Sequence, residues 1–119
     1  MLLLTSITNA PNQQFTVVLP DNTIFTLYLE YLVQFSAWFY GVSYVPASLN
    51  YLGQQLTNNL NLLSPFVNIL DFGILCEVID GGNPWDINDF INQRVNLYLL
   101  NQDDINTVQV IYNTNPNNQ

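Results

Sequence analysis

Apolar and polar residues alternate with a period of two over most of this chain, the spacing that puts successive side chains on opposite faces of a β-strand. In "QQFTVVL" Phe15, Val17 and Leu19 share one face, and in "IFTLYLEYLV" so do Phe25, Leu27, Leu29, Tyr31 and Val33. Between these runs stands "PDN", where Pro20 presets a turn and Asn22 tolerates a left-handed backbone, so a hairpin is predicted. "SAWFYGVSYV" reads as a third strand, alternating Trp38, Tyr40 and Val42 against Phe39. Gly41 inside it marks a bulge or a close approach of two backbones.

Further on, "LGQQLTNNLNLL" sets Asn58 and Asn59 between two short apolar stretches, which predicts a second hairpin. After Pro65, "FGILCEVIDGG" is a β-rich run ended by a glycine pair, and "RVNLYLL" and "NTVQVIY" are expected to add two short strands. Only "PWDINDFINQ" departs from the alternation: Pro84 opens a predicted short helix with Ile87, Phe90 and Ile91 at helical spacing. The expected fold is mainly β, a small antiparallel barrel or sandwich of six to seven strands with one short helix. Residues 1–112 are expected to form a single β-rich domain, and 113–119, which lack an apolar anchor, a flexible C-terminal tail.

Composition changes the picture at the surface. With 119 residues, 49% of them apolar, the chain has enough hydrophobic side chain for one core, yet only 8% of its residues are charged, against roughly a quarter in an average domain. Asn and Gln fill the positions where Lys and Glu usually stand, as in "TNNLN", "NQDDIN" and "NTNPNNQ". There is no lysine or histidine, and one arginine, Arg94, faces nine carboxylates for a net charge of −8. Binding to nucleic acid or to an anionic membrane needs clustered cations, so neither partner is expected. A net acidic surface also keeps small proteins apart in solution. "MLLLTSIT" has no basic segment and too short an apolar run for a secretion signal, and no stretch reaches the length of a membrane span, so use without export is expected.

The usual catalytic chemistry has few residues to draw on. Cys76 has no second cysteine to pair with and no histidine to activate it, and reads as a small core residue. Asp103 and Asp104 are adjacent, and neighbours in a strand point to opposite faces, which suits a solvated loop better than an acid and base pair. Asp80, Asp86 and Asp89 are close enough for a calcium loop, but Gly81 comes too early and Ile91 stands where the bidentate glutamate belongs. "DGGN" lacks the Lys and Ser or Thr of a phosphate loop. The chain is therefore expected to be no enzyme and to need no metal or cofactor. Arg94, entering "RVNLYLL" on the face of Asn96 and Tyr98, is expected to clamp Asp86 or Asp89 upstream and so pin the "NPWDINDF" turn to the strand.

The order of the motifs resembles a known family. An early "APNQQFTVVL" hairpin, a midchain aromatic "AWF" strand, "LGQQLTNNLNLL" leading through "SPF" to "FGILCEVIDG", and the "NPWDINDF…RVNLYLL" ending are similar to the small baseplate plug proteins of contractile-tailed phages, described for a cyanophage. The similarity runs over about residues 9–100. It implies a structural virion component made in the host cytoplasm, plugging the distal tail tube beside hub and spike, with those proteins and further copies of itself as partners. An acidic lining suits such a DNA exit path, which must not hold the genome. Interfaces favour aromatic side chains over Lys and Glu, and Trp38, Tyr40, Trp85 and Tyr98 are the candidate interface residues. Three other expectations compete: another small tail or tube adaptor, an acidic inhibitor that mimics nucleic acid, and a carbohydrate-binding module with an aromatic platform. Scattered carboxylates count against the inhibitor.

Overall fold

A computed structural model of the chain describes residues 1–114. Seven strands form two antiparallel sheets, and the buried side chains of both make one core. The larger sheet runs β2 (Asn12–Val18), β3 (Ile24–Leu32), β4 (Ala37–Tyr44) and β5 (Leu49–Gln55) as consecutive neighbours. The smaller one places β7 (Val95–Leu100) between β1 (Leu2–Leu3) and β6 (Gly73–Val78). One helix, α1 (Gln102–Thr114), follows β7 directly.

The alternation in the sequence becomes burial. Phe25, Leu27 and Leu29 of β3 lie in the core, whereas Val33, predicted to share their face, falls in the β3–β4 turn and is exposed. The first hairpin closes through Pro20 and Asp21. The Asn22 amide donates to the Leu19 carbonyl, and Asn22 takes a left-handed φ of 69°. Gly41 faces a bulge: the ladder slips between Tyr40 and Val42, so that Leu52 and Gly53 oppose a single residue. A Cβ on Gly41 would stand 2.7 Å from Leu52 Cδ2 and 3.2 Å from Leu52 Cα, which only glycine avoids. Phe72 stacks on Phe25 at 4.7 Å and meets Tyr44 edge-on at 5.0 Å, linking the entry to β6 with the larger sheet.

Several expectations are corrected. "NTVQVIY" is the body of α1 rather than a strand. The Asn101 side chain accepts the Asp104 amide at 2.8 Å while the Asp104 carboxylate accepts the Asn101 amide at 3.1 Å, a reciprocal cap that starts a helix in spite of the β-branched residues that follow. Asp103 and Asp104 thus belong to a first helical turn, where the helix dipole favours acids, and not to a loop.

The second hairpin does not form either. After β5 the chain crosses to the other sheet, where Asn59 exchanges backbone hydrogen bonds with Cys76 and the Leu62 amide donates to the Ile74 carbonyl. Buried Asn61 makes the crossing by accepting the amides of Leu63 and Ile74 on its Oδ1, and a Cβ on Gly73 would lie 2.5 Å from that oxygen. The short helix expected from Pro84 is instead a run of turns over residues 87–93, with one helix-type bond from the Asn92 amide to the Asn88 carbonyl. Of the tail assigned to 113–119, residues 113 and 114 end α1 and the remainder lies outside the described residues.

Candidate functional site

The β6–β7 ladder brings the charges together. Val78 pairs with Val95, and the Ile79 amide donates to the Arg94 carbonyl, so Asp80 emerges beside Arg94 although fourteen residues separate them. The guanidinium meets Asp80 through both arms, Nε to Oδ2 at 2.9 Å and Nη2 to Oδ1 at 3.0 Å. Nη1 donates to Asp89 Oδ2 at 2.9 Å, and Nη2 reaches the Asn83 carbonyl at 3.2 Å. This fork-to-fork geometry is what arginine offers and lysine does not. Gly82 leaves room for it, since a Cβ there would sit 3.3 Å from Nη2.

The two carboxylates differ in setting. Asp80 is 61% exposed, and the Arg94 guanidinium, followed by the Gly82 amide, holds its carboxyl below the usual carboxylate range. Asp89 is 1% exposed; its Oδ2 also accepts the amides of Trp85 and Asp86 at 2.8 and 2.9 Å, while Oδ1 is buried with no partner. One carboxylate oxygen therefore organises the whole "PWDINDF" turn and ties it to β7. Asp80, and Asp104 in its cap, are the acids whose proton affinity these contacts reduce, together with Asp21, whose carboxylate accepts from the Thr23 hydroxyl and amide.

Asp86 takes no part in the clamp. Its side chain accepts the Asn88 amide at 3.0 Å, and its carbonyl accepts from Trp38 Nε1 at 3.0 Å. The calcium arrangement weighed for Asp80, Asp86 and Asp89 is thus divided, with a guanidinium filling the space between the first and last of them. The sequence signal for Asp80 was there in the strand pairing: an antiparallel match of "FGILCEVID" with "RVNLYLL" puts the acid across from the arginine.

The four candidate interface aromatics separate by burial. Trp38 and Tyr40 are corrected to core residues. Trp38 is completely enclosed and meets Phe90 edge-on at 5.0 Å, and the Tyr40 hydroxyl donates to the Leu62 carbonyl. Both point inward because the β4 face they occupy is the one covered by the second sheet. Tyr98 is half-buried on β7, its hydroxyl 3.5 Å from Glu77 Oε1. Trp85 alone is open, 56% exposed, with the Arg94 guanidinium 5.7 Å from its ring centre.

Trp85 forms one wall of a groove of about 470 Å³, lined also by apolar Pro11, Tyr31, Val33 and Ile87 and by polar Gln34, Ser36 and Asp86. The Tyr31 hydroxyl donates to the Trp85 carbonyl at 2.7 Å, so this wall is anchored to β3 on one side and to the Arg94 clamp on the other. Val33 and the neighbouring Phe35 are exposed apolar residues that period-two counting had assigned, in the case of Val33, to the core. The chemistry available is a largely apolar surface with an exposed tryptophan whose backbone is held on both sides. Among the described residues no group of three or more Cys, His, Asp or Glu is placed to hold a metal ion, and no helix is long and apolar enough to cross a membrane. No known family model matches the chain, and no curated protein matches its sequence.

Proposed function

We propose that this chain is a structural, non-catalytic component of a phage tail baseplate, plugging the distal end of the tail tube beside hub and spike and associating there with other copies of itself. The observation that carries an assembly role is Trp85, a large aromatic open to solvent on a clamped turn beside a largely apolar groove. Interface energy concentrates on such residues, because a preorganised indole loses little freedom when a partner covers it. The long stretches without a charged side chain, from Met1 to Pro20 and from Tyr31 to Leu70, supply surface that a partner can bury without stripping water from charged side chains. The place in a phage tail rests on the order of sequence motifs. An acidic inhibitor fits less well: Asp21, Asp80, Asp89 and Asp104 are spent on internal caps and the clamp.

Co-expression with hub, spike and tube proteins of a contractile tail tests it. Co-purification with at least one of them is expected, lost on Trp85→Ser while the melting temperature stays within a few degrees. A well-folded wild-type chain that binds none of the three overturns the reading.

A further inference from the structure

The four sheet edges are finished in different ways. The outer side of β6 is covered by residues 59–62, β1 is only two residues long, and β5 is broken by the bulge at Gly53, whose φ is 71°. The edge of β2 has none of these protections. Its register against β3 is unbroken from Asn12↔Glu30 to Val18↔Ile24, and it carries no charged residue and no proline within the strand.

The ladder shows which backbone groups are free. The Tyr31 amide donates to the Pro11 carbonyl and the Leu19 amide to the Thr23 carbonyl, so the odd-numbered residues of β2 are those bonded to β3. The amides and carbonyls of Asn12, Gln14, Thr16 and Val18 point outward, and no backbone hydrogen bond to another described segment uses them. Phe15 and Val17, on the inward face, are only half-buried. They line an open cleft of about 290 Å³ with Leu2, Leu4, Ile7 and Leu27.

From this we infer that β2 is a self-pairing edge: a second copy of the chain adds its own β2 antiparallel to the first, about a two-fold axis through Phe15. The seven-residue strand is self-complementary about its centre. Pairing Asn12 with Val18 and Gln14 with Thr16 of the other copy satisfies every outward donor and acceptor. It also places the two Phe15 rings opposite each other in the closer, non-hydrogen-bonded position, where aromatic pairs are favourable. Charge selects the occupant. For a chain of net charge −8, a like copy is repelled over most of its surface, but this edge and all of Met1 to Pro20 carry no charged side chain, and the N-terminal ammonium is paired with Asp104 at 3.0 Å. The inference deepens the self-association in the proposed function by naming its surface.

Sedimentation equilibrium on the full chain tests it with Gln14→Glu/Thr16→Glu, which sets like charges opposite each other on the solvent face. The wild type is expected to be a dimer whose melting temperature rises with concentration, and the double variant a folded monomer whose melting temperature does not. Mixing it with Gln14→Lys/Thr16→Lys is expected to restore a mixed dimer. Amide exchange on the wild type supplies a readout that needs no variant: on dilution, Asn12, Gln14, Thr16 and Val18 should lose protection while Phe15 and Val17 keep theirs. A wild-type dimer indifferent to the Glu pair, or with no such alternation in exchange, overturns the β2 interface and leaves self-association standing through another surface. A wild type that stays monomeric at its highest soluble concentration overturns both.

Discussion

The span from Tyr31 to Leu70 and the span from Asp71 to Asp104 are built on opposite principles. The first contains no charged residue and is held by enclosed aromatics: Trp38, Tyr40 and Tyr44 sit in the core, and Tyr51 packs edge-on against Phe66 at 4.8 Å. The second contains every carboxylate except Asp21 and Glu30 together with the only arginine, and its long β6–β7 connection is shaped by side-chain oxygens receiving backbone amides. A sheet whose backbone pairs with itself needs only burial to hold it. The connection 79–94 has no ladder beyond the Ile79–Arg94 bond, so its amides turn to carbonyls within the loop and, at Gly82, Trp85, Asp86 and Asn88, to aspartate side chains. The two halves meet at Trp38, whose ring belongs to the first and whose Nε1 donates to Asp86 of the second.

The largest expected effect lies in the aromatic half. Trp38→Ala should cost about 4 kcal/mol, the range for deleting a buried aromatic, with little dependence on salt or on pH between 5 and 8. Chemical denaturation at two ionic strengths measures this; a strong salt dependence would merge the two halves into one electrostatic unit.

Breaking the clamp comes next. Arg94→Met leaves the Asp89 carboxylate buried with only two backbone donors, and a loss of about 3 kcal/mol is expected, seen as a drop of roughly 10 °C in melting temperature. Asp86→Asn, which touches no part of the guanidinium, should change stability by less than about 0.5 kcal/mol. Equal losses in the two variants would show that the turn, and not the ion pair, is what Arg94 supports.

Alkali should then act on the first half and its border with β6. Burial pushes the Cys76 thiol up to about 12, and burial followed by Tyr51 raises Tyr40 further. Both groups stay protonated in the folded chain while the unfolded chain ionises, so their contribution is complete below pH 9 and is lost as pH rises towards 12. Cys76→Val should flatten the start of that transition.

The smallest effects are expected in acid. The folded Asp21, Asp80 and Asp104 carboxyls lie below the ordinary aspartate range, so the stability they give is present above the ordinary value of 3.8 and fades as pH falls through the lower folded values. Asn101→Ala, which removes the side-chain half of the cap of α1, should cost about 1 kcal/mol.

This contrast also explains what could be read beforehand. Where the ladder governs, alternation was enough: β2, β3, β4, β6 and β7 follow their apolar period, and the Pro20–Asn22 turn and the Gly41 bulge were visible as residue types. Where side chains stand in for backbone, it was not. Asn61 bonds like a strand neighbour and carries the chain to the other sheet, which no count of apolar residues reveals. The Asn101 and Asp104 cap was written in "NQDD", but the β-branched run after it dominated the period. Arg94 as a clamp followed from charge scarcity alone, and Asp89 from proximity; Asp80 required the register of two strands.

The solitary arginine has a practical consequence as well. Trypsin cleaves after Lys or Arg and must take the side chain into its own pocket, so this sequence offers it a single bond, between Arg94 and Val95. In the folded chain that side chain is 17% exposed and gripped by Asp80 and Asp89, and the bond itself enters the middle strand of the smaller sheet. Proteolysis must therefore wait for this corner to open. The rate at which one cut appears becomes a built-in gauge of how often β7 lets go, free of the background that many cleavage sites would create.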